Sequence, residues 1–173
     1  VYLGIIDGAV GSSRRVWVTI RETLVLLCIA IGLTPAFKMK FWNIGAEGQI
    51  LMGGMATAAL MIYAGDAMPN WLLLILIFVA SAAAGLIWGL IPAVFKAYFN
   101  TNETLFTLML NYVANYIASY FVTYPLKDTS GDGLALQTPE VDALMRLPRL
   151  TSTSTFNAGF IVAVLVVVFM VFI

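Results

Sequence analysis

Two short stretches set hydrogen-bonding side chains into surroundings that are almost wholly apolar. The first, FWNIGAEGQ at 41–49, carries Asn43, Glu47 and Gln49 around Gly45 and Gly48. The second, NTNETLFTLMLNYVANYIASYFVTY at 100–124, spaces Glu103, Thr107, Asn111, Asn115, Ser119 and Thr123 four residues apart. Tyr112, Tyr116, Tyr120 and Tyr124 run beside them. Four-residue steps advance only about 40° around a helix, so each series is a slowly turning stripe. Together they make one polar and aromatic face, with Leu105, Leu108, Met109, Val113, Ile117 and Phe121 elsewhere around the helix. Amides that donate and accept beside flat amphipathic phenols suit a path for a hydroxyl-rich solute. They suit hydrogen bonding between helices equally well, at roughly 0.6–2 kcal/mol per contact.

In the first stretch, Asn43 and Glu47 share a face if the backbone is helical, whereas Gln49 points nearly opposite Glu47 at 100° per residue. One regular helix cannot turn all three inward. Gly45 and Gly48 allow the backbone to leave the helix there, which is tolerated at membrane depth only against protein or a water-filled cavity. An ionisable group in a membrane segment is by default a functional hypothesis. A shallow position among the lipid headgroups, favoured by Lys38 and Lys40 just upstream, would remove that argument.

The elements that must position these groups follow from composition. The 173 residues are 61% hydrophobic and 10% charged, with nine basic against nine acidic side chains. Mean hydropathy is +0.95. That is an integral membrane composition, and zero net charge gives no nucleic-acid signature. With no histidine, imidazole metal sites and histidine acid–base catalysis are excluded, and no other metal constellation is visible. Cys28, the single cysteine, reads as a small buried hydrophobe. Apolar segments at about 16–37, 41–65, 71–95, 104–124 and 156–173 predict an all-α polytopic transmembrane helical bundle in one domain, with an external loop at about 125–158. The first four reach the roughly 20 residues a spanning helix needs. Alternating strand-length segments of a barrel are absent from the pattern. The chain opens without methionine and stops inside an apolar run, so it reads as an N-terminal half truncated at both ends, with about four complete spans and one cut short.

Positive-inside counting places Lys38, Lys40 and Lys96 in the cytoplasm and Asp66 outside, while Arg14 and Arg15 vote the other way. In the third segment Ser81, Gly85 and Gly89 form a small-residue ridge for close helix packing, and Gly54 with Ala58 offers another in the second. Pro92 is placed to kink the third segment. Asn102 and Glu103 begin the fourth segment at the cytoplasmic surface and are candidates for helix capping. In the capping version Asn100 is the N-cap and Glu103 reaches back to it.

At the level of whole motifs, FKMKFWNIGAEGQILMGGMATAAL and NTNETLFTLMLNYVANYIASYFV resemble the signature stretches of permease subunits of bacterial ABC importers for nucleosides and simple sugars. These belong to the wider group containing ribose and branched-chain amino-acid permeases. Asn43, Ile44, Gly45, Ala46, Glu47, Gly48 and Gln49 fill every place of the first motif. Asn102, Glu103, Thr107, Leu108, Met109, Leu110, Asn111 and Tyr112 match the second, while Phe106 stands where a small residue is common. The resemblance implies a multi-pass permease in the bacterial cytoplasmic membrane, holding no cofactor and hydrolysing no ATP itself. It further implies a second permease subunit, two ATP-binding cassette subunits and a substrate-binding lipoprotein. Asn43, Glu47, Gln49, Asn111, Asn115, Tyr112 and Tyr116 are then the candidates for the substrate path, and Asn102 and Glu103, if not only caps, for the side facing the ATPase. The alternative is an ion-coupled secondary transporter in which Glu47 and Glu103 carry the coupling.

Overall fold

The computed structural model describes residues 2–128 and 137–140, together with Val164, Leu165 and Val168. Among these residues every regular element is helical: α1 (Tyr2–Val10), α2 (Ser13–Lys38), α3 (Ala46–Ala64) with a 3-10 turn at Gly65–Ala67, α4 (Asn70–Phe99) and α5 (Glu103–Thr123). The fold is all-α, and among the described residues four helices are long and apolar enough to cross a membrane: Ser13–Lys38, Ala46–Ala67, Asn70–Phe99 and Glu103–Thr123. Most of the expected external loop, and nearly all of the expected span at 156–173, lie outside the described residues.

The chain divides into two units, the second running from Lys40 to Arg146. In the first unit, α1 precedes the spans read from hydropathy. It joins α2 at Ser12, whose extended backbone and side chain cap α2 by accepting the Arg15 N–H at 3.3 Å. Arg15 reaches back to the Asp7 carboxylate at 2.8 Å, and the Thr19 hydroxyl donates to the Ala9 carbonyl at 2.9 Å. Helix α2 closes at Lys38, a cation placed where the C-terminal carbonyls favour it.

In the second unit, α3 and α4 form the most extensive pairing. Small residues permit it: Gly53 of α3 lies against Ser81, and the backbone of Gln49 lies against Gly85. The Gln49 side chain rests on Gly89. Gly53 rather than Gly54 provides the glycine of α3 in this contact, since nothing lies within 4 Å of a Cβ on Gly54. The turn from α4 to α5 departs from the capping box read in the sequence. Asn100 ends α4 in the left-handed region at φ 49°, a conformation asparagine tolerates. Asn102 is the N-cap of α5, accepting the N–H groups of Thr104 at 3.1 Å and Leu105 at 3.2 Å. Glu103 pairs with Lys96 at 2.9 Å instead of reaching back to Asn100. The bulky Phe106 stacks on Phe95 with ring centroids 4.8 Å apart, which fixes the same turn.

A Cβ added at Gly53 would sit 2.8 Å from the Ser81 hydroxyl and 3.1 Å from its carbonyl, so α3 and α4 would have to separate. Gly53→Ala is therefore expected to lower the melting temperature of the purified protein. Gly54→Ala should leave it unchanged or raise it, since alanine is favoured over glycine in a helix by about 0.5–1 kcal/mol.

Candidate functional site

The polar groups of the two signature stretches meet where α3 begins against the middle of α5. Residues 41–44 are not helical, and α3 starts only at Ala46. A helix beginning inside a bundle leaves backbone N–H groups without intrahelical partners, and α5 supplies acceptors for two N–H groups at this break. Thr107 accepts the Ile44 N–H at 3.2 Å through its hydroxyl, and Asn111 accepts the Gly48 N–H at 2.9 Å through its side-chain oxygen. The other end of the same amide donates to the Ile44 carbonyl at 3.0 Å. Asn43 closes the set by accepting the Gly45 N–H at 2.8 Å. Thr107, Asn111 and Asn43 retain 0%, 7% and 8% of their exposure. Their polar atoms could not be buried there without such partners.

The glycines make the approach possible. A Cβ on Gly45 would stand 3.0 Å from the Asn43 side-chain oxygen and 3.1 Å from the Thr107 Cβ. One on Gly48 would stand 2.8 Å from the Trp88 indole nitrogen and 3.0 Å from Asn111 Oδ1. Side chains at either place would push α5 off the start of α3.

The structure thus sorts the candidate residues into separate surroundings. Asn43 and Asn111 are committed to backbone groups at the break. Glu47 is exposed on the first turn of α3 and accepts a hydrogen bond from Asn115 Nδ2 at 3.3 Å, which also donates to the Asn111 carbonyl at 3.3 Å. Gln49 turns the other way, onto Gly89 of α4. Tyr112 and Tyr116 stand on the exposed side of α5, at 63% and 79% exposure, with Tyr120 and Tyr124 on the same helix also exposed. Asn102 and Glu103 belong to the α4–α5 turn. The break also depends on residues outside the set of candidates: Thr107, Gly48 and Trp88. Thr107 was legible in the four-residue series, but the partner it would find was not. Trp88 lies one turn before Pro92 and one residue before Gly89 of the ridge, the only hint it offers.

The arrangement is a polar junction between membrane helices with an exposed carboxylate–amide pair at its edge. It defines a helical membrane protein whose polar interior holds backbone in place. Comparison with known proteins then fixes the group. The chain belongs to the family described as the branched-chain amino acid transport system / permease component, whose model matches residues 18–173. It is 32% identical over 178 residues to the guanosine ABC transporter permease protein NupP of Bacillus subtilis, covering 99% of this chain and 49% of that protein. It is 28% identical over 175 residues to the nucleoside ABC transporter permease protein NupB of Lactococcus lactis, covering 98% of this chain and 48% of that protein. Against the glucose ABC transporter permease protein TsgB13 of Haloferax volcanii, identity is 38% over 87 residues, half of this chain and 22% of that protein. The chain therefore spans about half the length of the two nucleoside-permease relatives. No solved structure matches.

Replacing Asn111 by alanine strands a buried N–H at Gly48 and a carbonyl at Ile44. The buried N–H alone costs about 1–3 kcal/mol when unpaired, so Asn111→Ala is expected to unfold at a markedly lower denaturant concentration than the unaltered protein. Asn115→Ala, on an exposed pair, should change the midpoint little.

Proposed function

We propose that this chain forms part of the translocation path of a permease subunit that imports nucleosides or simple sugars, driven by ATP hydrolysis on separate subunits. The observation that carries the reading is the exposed Glu47–Asn115 pair beside the tyrosines of α5, in a chain of the permease family. Asn43 and Asn111 fix the start of α3 and so set where Glu47 stands. Glu47 and Asn115 then meet the hydroxyls of a ribose or hexose, and Tyr112 and Tyr116 offer faces for a stacked base or a sugar ring. Gln49 shapes the path from the α4 side without touching the solute. The names of the guanosine, nucleoside and glucose relatives support this range of solutes.

In this reading the complex contains a second permease, two ATP-binding cassette subunits, and a lipoprotein that delivers the solute, in the bacterial cytoplasmic membrane. Glu47 acts as an acceptor of hydrogen bonds. Ion coupling through the two carboxylates is less well supported, because Glu103 is tied to Lys96 and Glu47 to Asn115.

The test is uptake by the intact complex in proteoliposomes, with labelled guanosine and glucose offered in turn. Glu47→Gln is expected to reduce ATP-dependent uptake of the preferred solute about tenfold, the scale of one hydrogen bond to a charged group, with assembly unchanged. Tyr116→Ala should raise the KM for a nucleoside more than for a sugar. Unaltered uptake by both variants would remove this face of α5 from the path.

A further inference from the structure

Helix α3 is bonded near both of its ends to α5 or to the residues that directly follow it. Beyond the Thr107 and Asn111 contacts at one end, the Tyr63 hydroxyl donates to the Pro125 carbonyl at 2.8 Å at the other. Helix α4 is held differently. Among the described residues its side chains make no hydrogen bond to the body of α3 or α5, and its only polar tie is Lys96 to Glu103 at the turn. Elsewhere it meets α3 along Ser81, Gly85 and Gly89, a ridge with few protrusions to resist sliding. Helix α4 also contains Pro92, buried, which removes one rung of the backbone ladder and frees the Trp88 carbonyl.

At that same place the Trp88 indole N–H is buried and has no partner among the described residues. The surrounding gap, lined by Asn43, Gly45, Gln49, Pro92, Thr107 and Leu110, is too narrow to admit a water molecule. A dry, unpaired donor is unfavourable, and such a group in a packed junction calls for an explanation. An acceptor stands close by. Asn111 Oδ1 lies against the same face of Gly48 as the indole nitrogen, each about 3 Å from the position of a Cβ there. One of its two lone pairs takes the Gly48 N–H, leaving the other for a further donor.

We propose that Trp88 is a latch between two positions of α4: a small shift of α4 along its glycine ridge, bending at Pro92, brings the indole N–H onto Asn111 Oδ1. The position described here is the unlatched one. Helices α3 and α5 stay together through the shift, so α4 moves against a fixed pair. That the shift belongs to a transport cycle rests on the permease reading above.

The test uses the assembled complex with Trp88 as its sole tryptophan, the others changed to phenylalanine. The ultraviolet resonance Raman band that reports hydrogen bonding at an indole N–H is read without nucleotide and with ATP bound and hydrolysis blocked. The expected result is an unbonded position in one state and a bonded position in the other. One position in both states overturns the latch. In parallel, Trp88 is replaced by the tryptophan isostere that carries sulfur in place of the N–H. If the donor is unpaired at rest, the melting temperature of the nucleotide-free complex does not fall, and a fall of several degrees overturns the proposal. A complex that shows the band shift but no ATP-driven uptake of any solute contradicts the permease reading and leaves the latch standing.

Discussion

The side-chain amide of Asn111 holds the arrangement together. It reaches across from α5 to accept from Gly48 and donate to Ile44, and in doing so completes the hydrogen bonding of a helix that begins inside the bundle. Buried polar groups are costly unless a partner bonds them. The start of α3 can therefore lie there only because another helix caps it. Everything else at the junction follows from that requirement. Glycine at 45 and 48 lets α5 come close enough, Thr107 takes the remaining N–H of Ile44, and Asn43 folds back on Gly45. The polar residues that look reactive in the sequence are, for the most part, holding backbone.

This division of labour changes how the signature motif is understood. Its asparagine and glycines build a fixed shoulder, and the shoulder presents Glu47 on an exposed turn beside Asn115. Gln49 belongs to the other side, where it lies on Gly89 and fills the contact between α3 and α4. A motif of seven consecutive residues thus serves two neighbouring helices at once: α5 through its backbone and through Glu47, and α4 through Gln49. A tightly bonded pair, α3 with α5, then stands next to a helix held mainly by close packing of small residues. Subunits that must change shape in a membrane can use such a contrast, since glycine ridges leave few side chains to unlock.

Much of this was legible in the residues. The four-residue spacing of Thr107, Asn111 and Asn115 identified a face of α5 that had to meet protein or water. The 100° step per residue already separated Gln49 from Glu47. The number of helices long enough to span followed from hydropathy alone. What the sequence could not supply was the partner of each polar group. The Asn111 contacts join residues more than sixty positions apart, and a backbone N–H leaves no mark in a sequence. Asn43 was read as sharing a helical face with Glu47, yet α3 begins after it, because an asparagine that folds onto the N–H two residues on competes with the helix. The turn between α4 and α5 differs from the capping box that its sequence suggests for a related reason. Two asparagines flank Thr101, and only the backbone shows that Asn100 ends one helix in the left-handed region while Asn102 opens the next.

Amide hydrogen exchange over residues 44–48 of the intact protein tests most directly whether α5 caps the start of α3. Slow exchange at Gly48 and Ile44 is the expected result, with Gly48 becoming fast when Asn111 loses its amide and Ile44 when Thr107 loses its hydroxyl, the rest of α3 unchanged. Exchange at these two amides as fast as at an open helix terminus, before any substitution, would contradict it.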